Sequence, residues 1–160
     1  MEIERKFLIK TLPNLEAYHY HEIEQAYLCT EPVVRIRKED DTYYLTYKAK
    51  GFLEREEYNL PLTKESYQHL LTKADGNVIS KKRFLIPYQK YTIELDVFQG
   101  IFDGMILAEV EFPSKEEAEA FSAPDWFAQD VTYQKEYHNS HLSQCSPDTK
   151  PKITHTSITE

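Results

Sequence analysis

Charged and apolar positions alternate along most of this chain with a period of two. The alternation runs through Glu2-Ile3-Glu4-Arg5-Lys6-Phe7-Leu8-Ile9, Val34-Arg35-Ile36-Arg37 and Leu45-Thr46-Tyr47-Lys48-Ala49-Lys50. It returns in Glu57-Tyr58-Asn59-Leu60, Ile93-Glu94-Leu95-Asp96-Val97 and Ala108-Glu109-Val110-Glu111-Phe112. Successive side chains of a strand leave opposite faces, so each run predicts a strand with one polar and one apolar side. Two more strands are expected over 24–28 and 78–86, the second interrupted by Lys82. The links 39–42, 51–54 and 100–104 are short, which makes consecutive strands antiparallel neighbours.

Two segments change period. After Pro61, Thr63 is placed to cap a helix that carries Tyr67, Leu70, Leu71 and Ala74 on one face, with Gly76 as its stop. After Pro113, Ser114-Lys115-Glu116-Glu117 reads as a capping box that opens a short helix through Phe121. Thr132 is expected to cap a third helix bearing Tyr133, Tyr137 and Leu142. Residues 146–160 are rich in Pro, Ser and Thr without apolar period, so a disordered tail is expected after one domain over 1–145. The fold class is mainly β (α+β): a closed eight-stranded antiparallel barrel with a few flanking α-helices.

The polar face carries the chemistry. Residues spaced i, i+2 share a face. One face therefore collects Glu2, Glu4 and Lys6, then Arg35 with Arg37, Lys48 with Lys50, and Arg55 with Glu57. Lys81 with Arg83, Glu94 with Asp96, and Glu109 with Glu111 complete the series. Any single doublet is better read as the solvated face of an ordinary sheet. The whole series is not: nearly every strand bears a charged doublet, and acids and bases are sorted onto different strands. About eight antiparallel strands close into a barrel. Closure sets Glu2 and Glu4 against Glu109 and Glu111, a repulsive group unless cations sit among them. Hard oxygen ligands suit Mg2+ or Mn2+. The remaining wall, with Lys6, Arg35, Arg37, Lys48, Lys50, Arg55, Lys81 and Arg83, suits phosphate oxygens.

The totals narrow the reading. A chain of 160 residues with net charge -8 and pI about 5.3 repels nucleic acid and anionic membrane as a whole, so neither is expected as a partner. With 4 glycines and no G-x-x-x-x-G-K-[ST], a phosphate-cradling loop is not expected. Cys29 and Cys145 lack metal-ligand spacing and are read as free thiols of a reducing cytoplasm. No apolar run reaches the length of a membrane span, and MEIERKFLIK has no signal-peptide core.

The opening Glu2-x-Glu4-x-Lys6, followed in order by Arg35-x-Arg37, Lys48, Arg55-x-Glu57, Lys81-x-Arg83, Glu94-x-Asp96 and Glu109-x-Glu111, resembles the CYTH superfamily of triphosphate tunnel metalloenzymes. E-x-E-x-K alone is a weak pattern; the ordered set, running from Met1 to about Leu142, is specific. Trp126-Phe127, Val131-Thr132, Tyr137 and Asn139 are similar to short members acting on inorganic tripolyphosphate. The resemblance implies an eight-stranded tunnel, Mg2+ or Mn2+ dependence and cleavage of a small-molecule triphosphate, by a monomer or homodimer. Asn59 departs from the pattern, standing where relatives often carry a second acid after Glu57.

On that reading Glu2, Glu4, Glu109 and Glu111 hold a first divalent cation. Asp96, Glu94 and Glu57 are candidates for a second cation or for positioning water. Lys6, Arg35, Arg37, Lys48, Arg55 and Arg83 neutralise phosphate oxygens, and Lys81 orients or protonates the leaving oxygen. Tyr27 either contacts substrate or packs in the wall; Lys50 faces either the tunnel or solvent at the hairpin. Tyr137 and Asn139 belong to a C-terminal helix that either packs ordinarily or closes one mouth. Thiamine triphosphatases and class IV adenylate cyclases share the signature, but no set for an organic group is evident. A polyphosphate-binding module without catalysis gains nothing from four carboxylates, and a barrel for apolar ligands needs an apolar interior.

Overall fold

In a computed structural model of the chain, which describes residues 1–146, 148 and 149, ten strand segments form one antiparallel sheet. They are β1 (Glu2–Ile9), β2 (Tyr20–Thr30), β3 (Val33–Glu39), β4 (Thr42–Lys48), β5 (Glu54–Arg55), β6 (Glu57–Pro61), β7 (Asp75–Tyr88), β8 (Tyr91–Gln99), β9 (Ile106–Glu111) and β10 (Phe127–Asp130). The lateral order is β10-β1-β9-β8-β7-β2-β3-β4-β6, and β5 pairs with β1. The stretch 54–61 therefore joins both ends of the sheet. Its β6 half pairs with β4 through Lys48 and Glu57, and its β5 half pairs with β1 through Glu2 and Arg55. This nearly closes a barrel of eight staves, with β5 and β6 sharing one stave. Outside that ring, β10 covers the far half of β1. Closure satisfies edge groups that an open sheet would leave unpaired.

Three helices flank the barrel: α1 (Lys64–Leu71), α2 (Lys115–Ala120) and α3 (Asn139–Leu142). Thr63 caps α1 as expected, in a reciprocal capping box with Ser66. The helix already ends at Leu71, and Gly76 lies inside β7 with φ +73 rather than stopping the helix. A Cβ at Gly76 would stand 2.0 Å from the Ser143 carbonyl oxygen, which explains the glycine by close approach. Ser114 caps α2 through the Glu117 amide, while the Glu117 side chain turns to Tyr91 and Lys90 instead of closing the box. Thr132 does not cap a helix. Its hydroxyl accepts from the Lys6 amide at 3.0 Å and lies 2.5 Å from the Asp130 carboxylate, so it is already committed to the barrel edge. The segment after it makes a short 3-10 turn (Lys135–Tyr137) and then α3. The expected tight link at 51–54 is also wider than read: β4 stops at Lys48, and the Ala49 amide donates to Glu56 at 3.0 Å.

The apolar faces divide the packing into layers. Outward-facing Phe7, Ile93, Leu95, Ala108 and Val110 pack under α2, β10 and Trp126, and outward-facing Ala26 and Ile36 pack under Tyr67 of α1. The third cluster is different. Leu8, Val33, Ile79, Phe98 and Leu107 continue the inward faces and meet Tyr137, Leu142 and Cys145. The C-terminal segment thus plugs one end of the barrel, the alternative that sequence left open for Tyr137 and Asn139. Cys29 is exposed and Cys145 buried, and neither is in a disulfide. Of the tail expected to be disordered, residues 147 and 150–160 lie outside the described residues, while Ser146 and Thr149 are joined by a backbone-to-hydroxyl hydrogen bond.

Candidate active site

Register decides which side chains meet. On β1, Glu4 stands opposite Glu111 and Lys6 opposite Glu109; on β8, Glu94 stands opposite Glu109. On β3, Arg35 faces Thr46 and Arg37 faces Gln25. The charged side chains among these line, above the apolar plug, a cavity of about 190 Å³. Its lining holds six basic residues, Lys6, Arg35, Arg37, Lys48, Arg55 and Arg83, and six acidic ones, Glu2, Glu4, Glu57, Glu94, Glu109 and Glu111. Tyr27 and Asn59 also line it.

Most charges inside are paired. Lys48 bridges Glu2 at 3.0 Å and Glu57 at 3.3 Å. Lys6 reaches Glu109 at 3.3 Å. Arg83 forks onto Asp96 at 2.7 and 2.9 Å and extends to Glu94 and Glu109 at 3.4 Å each. Arg37 gives two hydrogen bonds to Gln25 Oε1, at 2.9 and 2.6 Å. Arg35 donates to Thr46 at 3.1 Å, and its buried Nε has no partner among the described residues. Such orphaned donors are rare in protein interiors and mark a place for an acceptor.

The acids are arranged against their own charge. Burial and the neighbouring Glu4 carboxylate push Glu2 up to about 8. Burial and Glu109 raise Glu4, and burial raises Glu94. Burial opposes Glu57 too, but the Glu2 hydrogen bond and Lys48 hold it down at about 2. Glu4 and Glu111, directly opposite one another, make no hydrogen bond or ion pair among the described residues. Like charges facing across a ladder destabilise it. No three such groups converge into a ready-made metal cage among the described residues. That donor set still fits Mg2+ or Mn2+. A hard dication of this kind is commonly held by one or two carboxylates together with substrate phosphates, and here two carboxylates are uncommitted beside a basic wall.

Three sequence-identified residues lie off the cavity. Lys81 is fully buried beneath it, 2.8 Å from Asp96 and 3.1 Å from Asn139 Oδ1, with its ammonium over the Phe98 ring. Burial drives Lys81 down to about 7, against the pull of Asp96. Asp96 is itself buried, with its oxygens taken by Arg83 and Lys81 rather than turned toward a cation. Lys50 lies beyond the end of β4, exposed, in a neighbouring groove with Phe52 and Lys135. Sequence reasoning missed His138 and Ser140, which also line the cavity, and considered Asn139 only as part of a helix that packs ordinarily or closes one mouth. His138 donates from Nε2 to the Thr132 carbonyl oxygen at 3.0 Å; burial and the nearby Lys6 charge push it down to about 4. These residues sit on a short irregular segment that carries no periodic signal.

A nearly closed antiparallel barrel with a basic wall facing a seam that holds two uncommitted carboxylates has the charge arrangement that suits a polyanion together with a hard cation. The chain belongs to the CYTH domain family, whose model matches residues 1–145. It is 36% identical over 151 residues to an inorganic triphosphatase of Nitrosomonas europaea, covering 91% of this chain and 99% of that one. It is 33% identical over 149 residues to an inorganic triphosphatase of Acetivibrio thermocellus, covering 88% and 92%. Among solved structures, that of an inorganic triphosphatase superposes with TM-score 0.70 at 33% identity, covering 92% of this chain and 97% of that one. A Pyrococcus horikoshii protein shares the fold, with TM-score 0.57 at 23% identity over 75% of this chain and 84% of that one.

Proposed function

We propose that this chain is an inorganic triphosphatase that hydrolyses tripolyphosphate to pyrophosphate and phosphate inside the barrel, using Mg2+ or Mn2+. The observation that carries the reading is the cavity itself: six cationic side chains converge on a space whose opposite seam has two carboxylates without partners. The similarity to two inorganic triphosphatases over nearly their whole length supports it.

Arg35, Arg37, Lys48, Arg55, Arg83 and Lys6 bind the phosphate chain and neutralise its oxygens. Guanidinium groups supply forked hydrogen bonds, and lysines supply point charges. Glu4 and Glu111, supported by Glu2, Glu94 and Glu109, would hold the divalent cation, which polarises phosphoryl oxygens and lowers the pKa of water when bound. Ionised Glu57 accepts a hydrogen bond from the attacking water and orients it. The water oxygen bonds to a terminal phosphorus as the bridging P–O bond breaks, so pyrophosphate leaves and one water proton is released. Arg83 and Lys81 place positive charge beside the departing oxygen, the second from beneath the cavity wall. Preorganised charge of this kind needs no rearrangement at the moment of reaction.

No helix among the described residues is long and apolar enough to cross a membrane. With two thiols outside any disulfide, we place the enzyme in the cytoplasm. The test is phosphate release from tripolyphosphate, thiamine triphosphate and ATP, each with Mg2+, Mn2+ or chelator. Cation-dependent release with tripolyphosphate far ahead is expected. Preference for a substrate with an organic group would move the assignment within the family, and no release from any of the three would leave a binding module.

A further inference from the structure

The C-terminal plug does more than fill one end of the barrel. It is fastened from inside by residues of the charged cavity: Lys6 Nζ donates to the Tyr137 carbonyl at 3.2 Å, and Lys81 Nζ donates to Asn139 Oδ1 at 3.1 Å. The second contact has a consequence for the other half of the Asn139 carboxamide. An ammonium has three donors and no acceptor, so the group facing Lys81 must be the amide oxygen. This fixes the flip of the side chain by hydrogen-bond logic. The amide nitrogen then points away from Lys81. It makes no hydrogen bond among the described residues, and it is not a buried orphan, while Asn139 lines the cavity. Lys81 itself does not reach the cavity. Asn139 is therefore the layer between a buried ammonium and the space where phosphate binds, with its donor side turned outward.

We infer that Asn139 is a substrate-binding residue: its Nδ2 donates a hydrogen bond to a phosphate oxygen of the bound triphosphate, while Oδ1 stays on Lys81. The inference rests on the triphosphatase reading and adds a contact from the plug to those made by the barrel strands. The arrangement gives Lys81 a route to the substrate without exposure. The ammonium polarises the carboxamide through its oxygen, which makes the Nδ2 hydrogens better donors. It also gives the short, irregular 132–145 segment a reason to be anchored by the side chains of the site. If it only filled space, apolar contacts from Tyr137 and Leu142 would serve.

The discriminating substitution is Asn139→Asp. It preserves size and the acceptor for Lys81 but replaces the outward donor by an anionic oxygen. Tripolyphosphate binding is measured by calorimetry in chelator, so that no hydrolysis intervenes, on wild type, Asn139→Asp and Asn139→Ala. Loss of a hydrogen bond to a charged group weakens binding by about ten- to a hundredfold. The Asp variant should lose at least as much as the Ala variant. With Mg2+ present the same loss should appear mainly in KM for Asn139→Ala. A purely structural role would leave affinity unchanged in both folded variants and lower only their melting temperatures. A second measurement needs no variant: the side-chain NH2 resonances of Asn139 in 15N-labelled wild-type protein should shift on titration with tripolyphosphate. Unmoved resonances together with unchanged affinity in Asn139→Asp would overturn the inference while leaving the triphosphatase reading in place. Failure of the wild type to bind tripolyphosphate or to hydrolyse it would remove both.

Discussion

Replacing Lys81 by methionine should make the protein more stable and less active. The side chain is completely buried, and burial takes it from its ordinary 10.5 down to about 7 even though Asp96 lies 2.8 Å away. At about 1.4 kcal/mol per pKa unit, the folded environment disfavours the ammonium by about 5 kcal/mol. Methionine has a similar length and carries no charge. The attraction of Asp96 is already contained in that figure; against the gain stand the lost hydrogen bond to Asn139, about 1 kcal/mol, and the imperfect fit of methionine in a space shaped for lysine, about 1 kcal/mol. Asp96 is not stranded, because Arg83 keeps both of its oxygens at 2.7 and 2.9 Å. The expected net gain near pH 6.5 is about 3 kcal/mol, within the range found when buried ion pairs give way to apolar groups. That corresponds to a rise of about 6–12 °C in melting temperature for a chain of this size.

The pH dependence separates this account from simple repacking. The folded-state pKa lies below the unfolded one, so the folded chain binds fewer protons between about 7 and 10.5. On Lys81's account, wild-type stability rises with pH across that window, and the full cost is present below it. The advantage of Lys81→Met should therefore shrink by about 3 kcal/mol between pH 6.5 and pH 9.5. Urea melts of both proteins at the two pH values measure this directly. A variant 3–5 kcal/mol less stable than wild type at both would refute the reasoning, because it would mean that the Lys81–Asp96 pair supports the fold.

Glu4→Gln should lower cation-dependent tripolyphosphate hydrolysis by at least about a hundredfold. Its melting temperature should hold or rise slightly, since the change removes a buried carboxylate that Glu109 repels; unimpaired turnover would sink the cation assignment. Gly76→Ala, at φ +73 with its new Cβ 2.0 Å from the Ser143 oxygen, should cost about 2 kcal/mol or more and raise hydrogen exchange over 139–145 first. Asp130 is held below the ordinary carboxylate range: burial opposes its charge, but the Thr132 hydroxyl, the Thr132 amide and Arg5 outweigh it. Its stabilisation is present above the ordinary aspartate pKa and is lost as pH falls through the folded value. Urea melts from pH 2.5 to 5 should accordingly show a flatter acid decline in Thr132→Val than in wild type.

Much of the site was readable because a period of two assigns each residue to a face, and barrel closure needs only that assignment. Glu2, Glu4, Lys6, Arg35, Arg37, Lys48, Arg55, Glu57, Arg83, Glu94, Glu109 and Glu111 all line the cavity on this basis. Depth along the barrel axis was not readable. Lys81 and Arg83 have the same face and spacing, yet two residues of strand rise carry one into the cavity and leave the other beneath it. The same limit applies to Asp96 against Glu94. Nor was β10 readable: Phe127-Ala128-Gln129-Asp130 is too short for a period, and its pairing with β1 is a tertiary event. Thr132 looked like a cap because its residue type suits one, but the Lys6 amide and Asp130 claim its hydroxyl first.

The charges inside this barrel are poorly suited to stabilising it. Glu4 faces Glu111 and Glu94 faces Glu109 across antiparallel ladders, Arg35 is lowered by burial and by Arg37, and Lys81 sits where its charge is disfavoured. A fold that spent its interior on stability would carry apolar side chains there, as it does at the plugged end. With one apolar cluster at the plugged end, what permits the frustration is that the other two lie outside the ring, under α1, α2 and β10. Burial there, at roughly 25 cal/mol per Å², does not depend on what the inward faces carry. An outer core and closed hydrogen-bond ladders therefore leave the inner face free to be selected for chemistry. The same division explains why interior substitutions that remove charge, Lys81→Met and Glu4→Gln among them, are expected to separate activity from stability, whereas outer-face ones are expected to lose both.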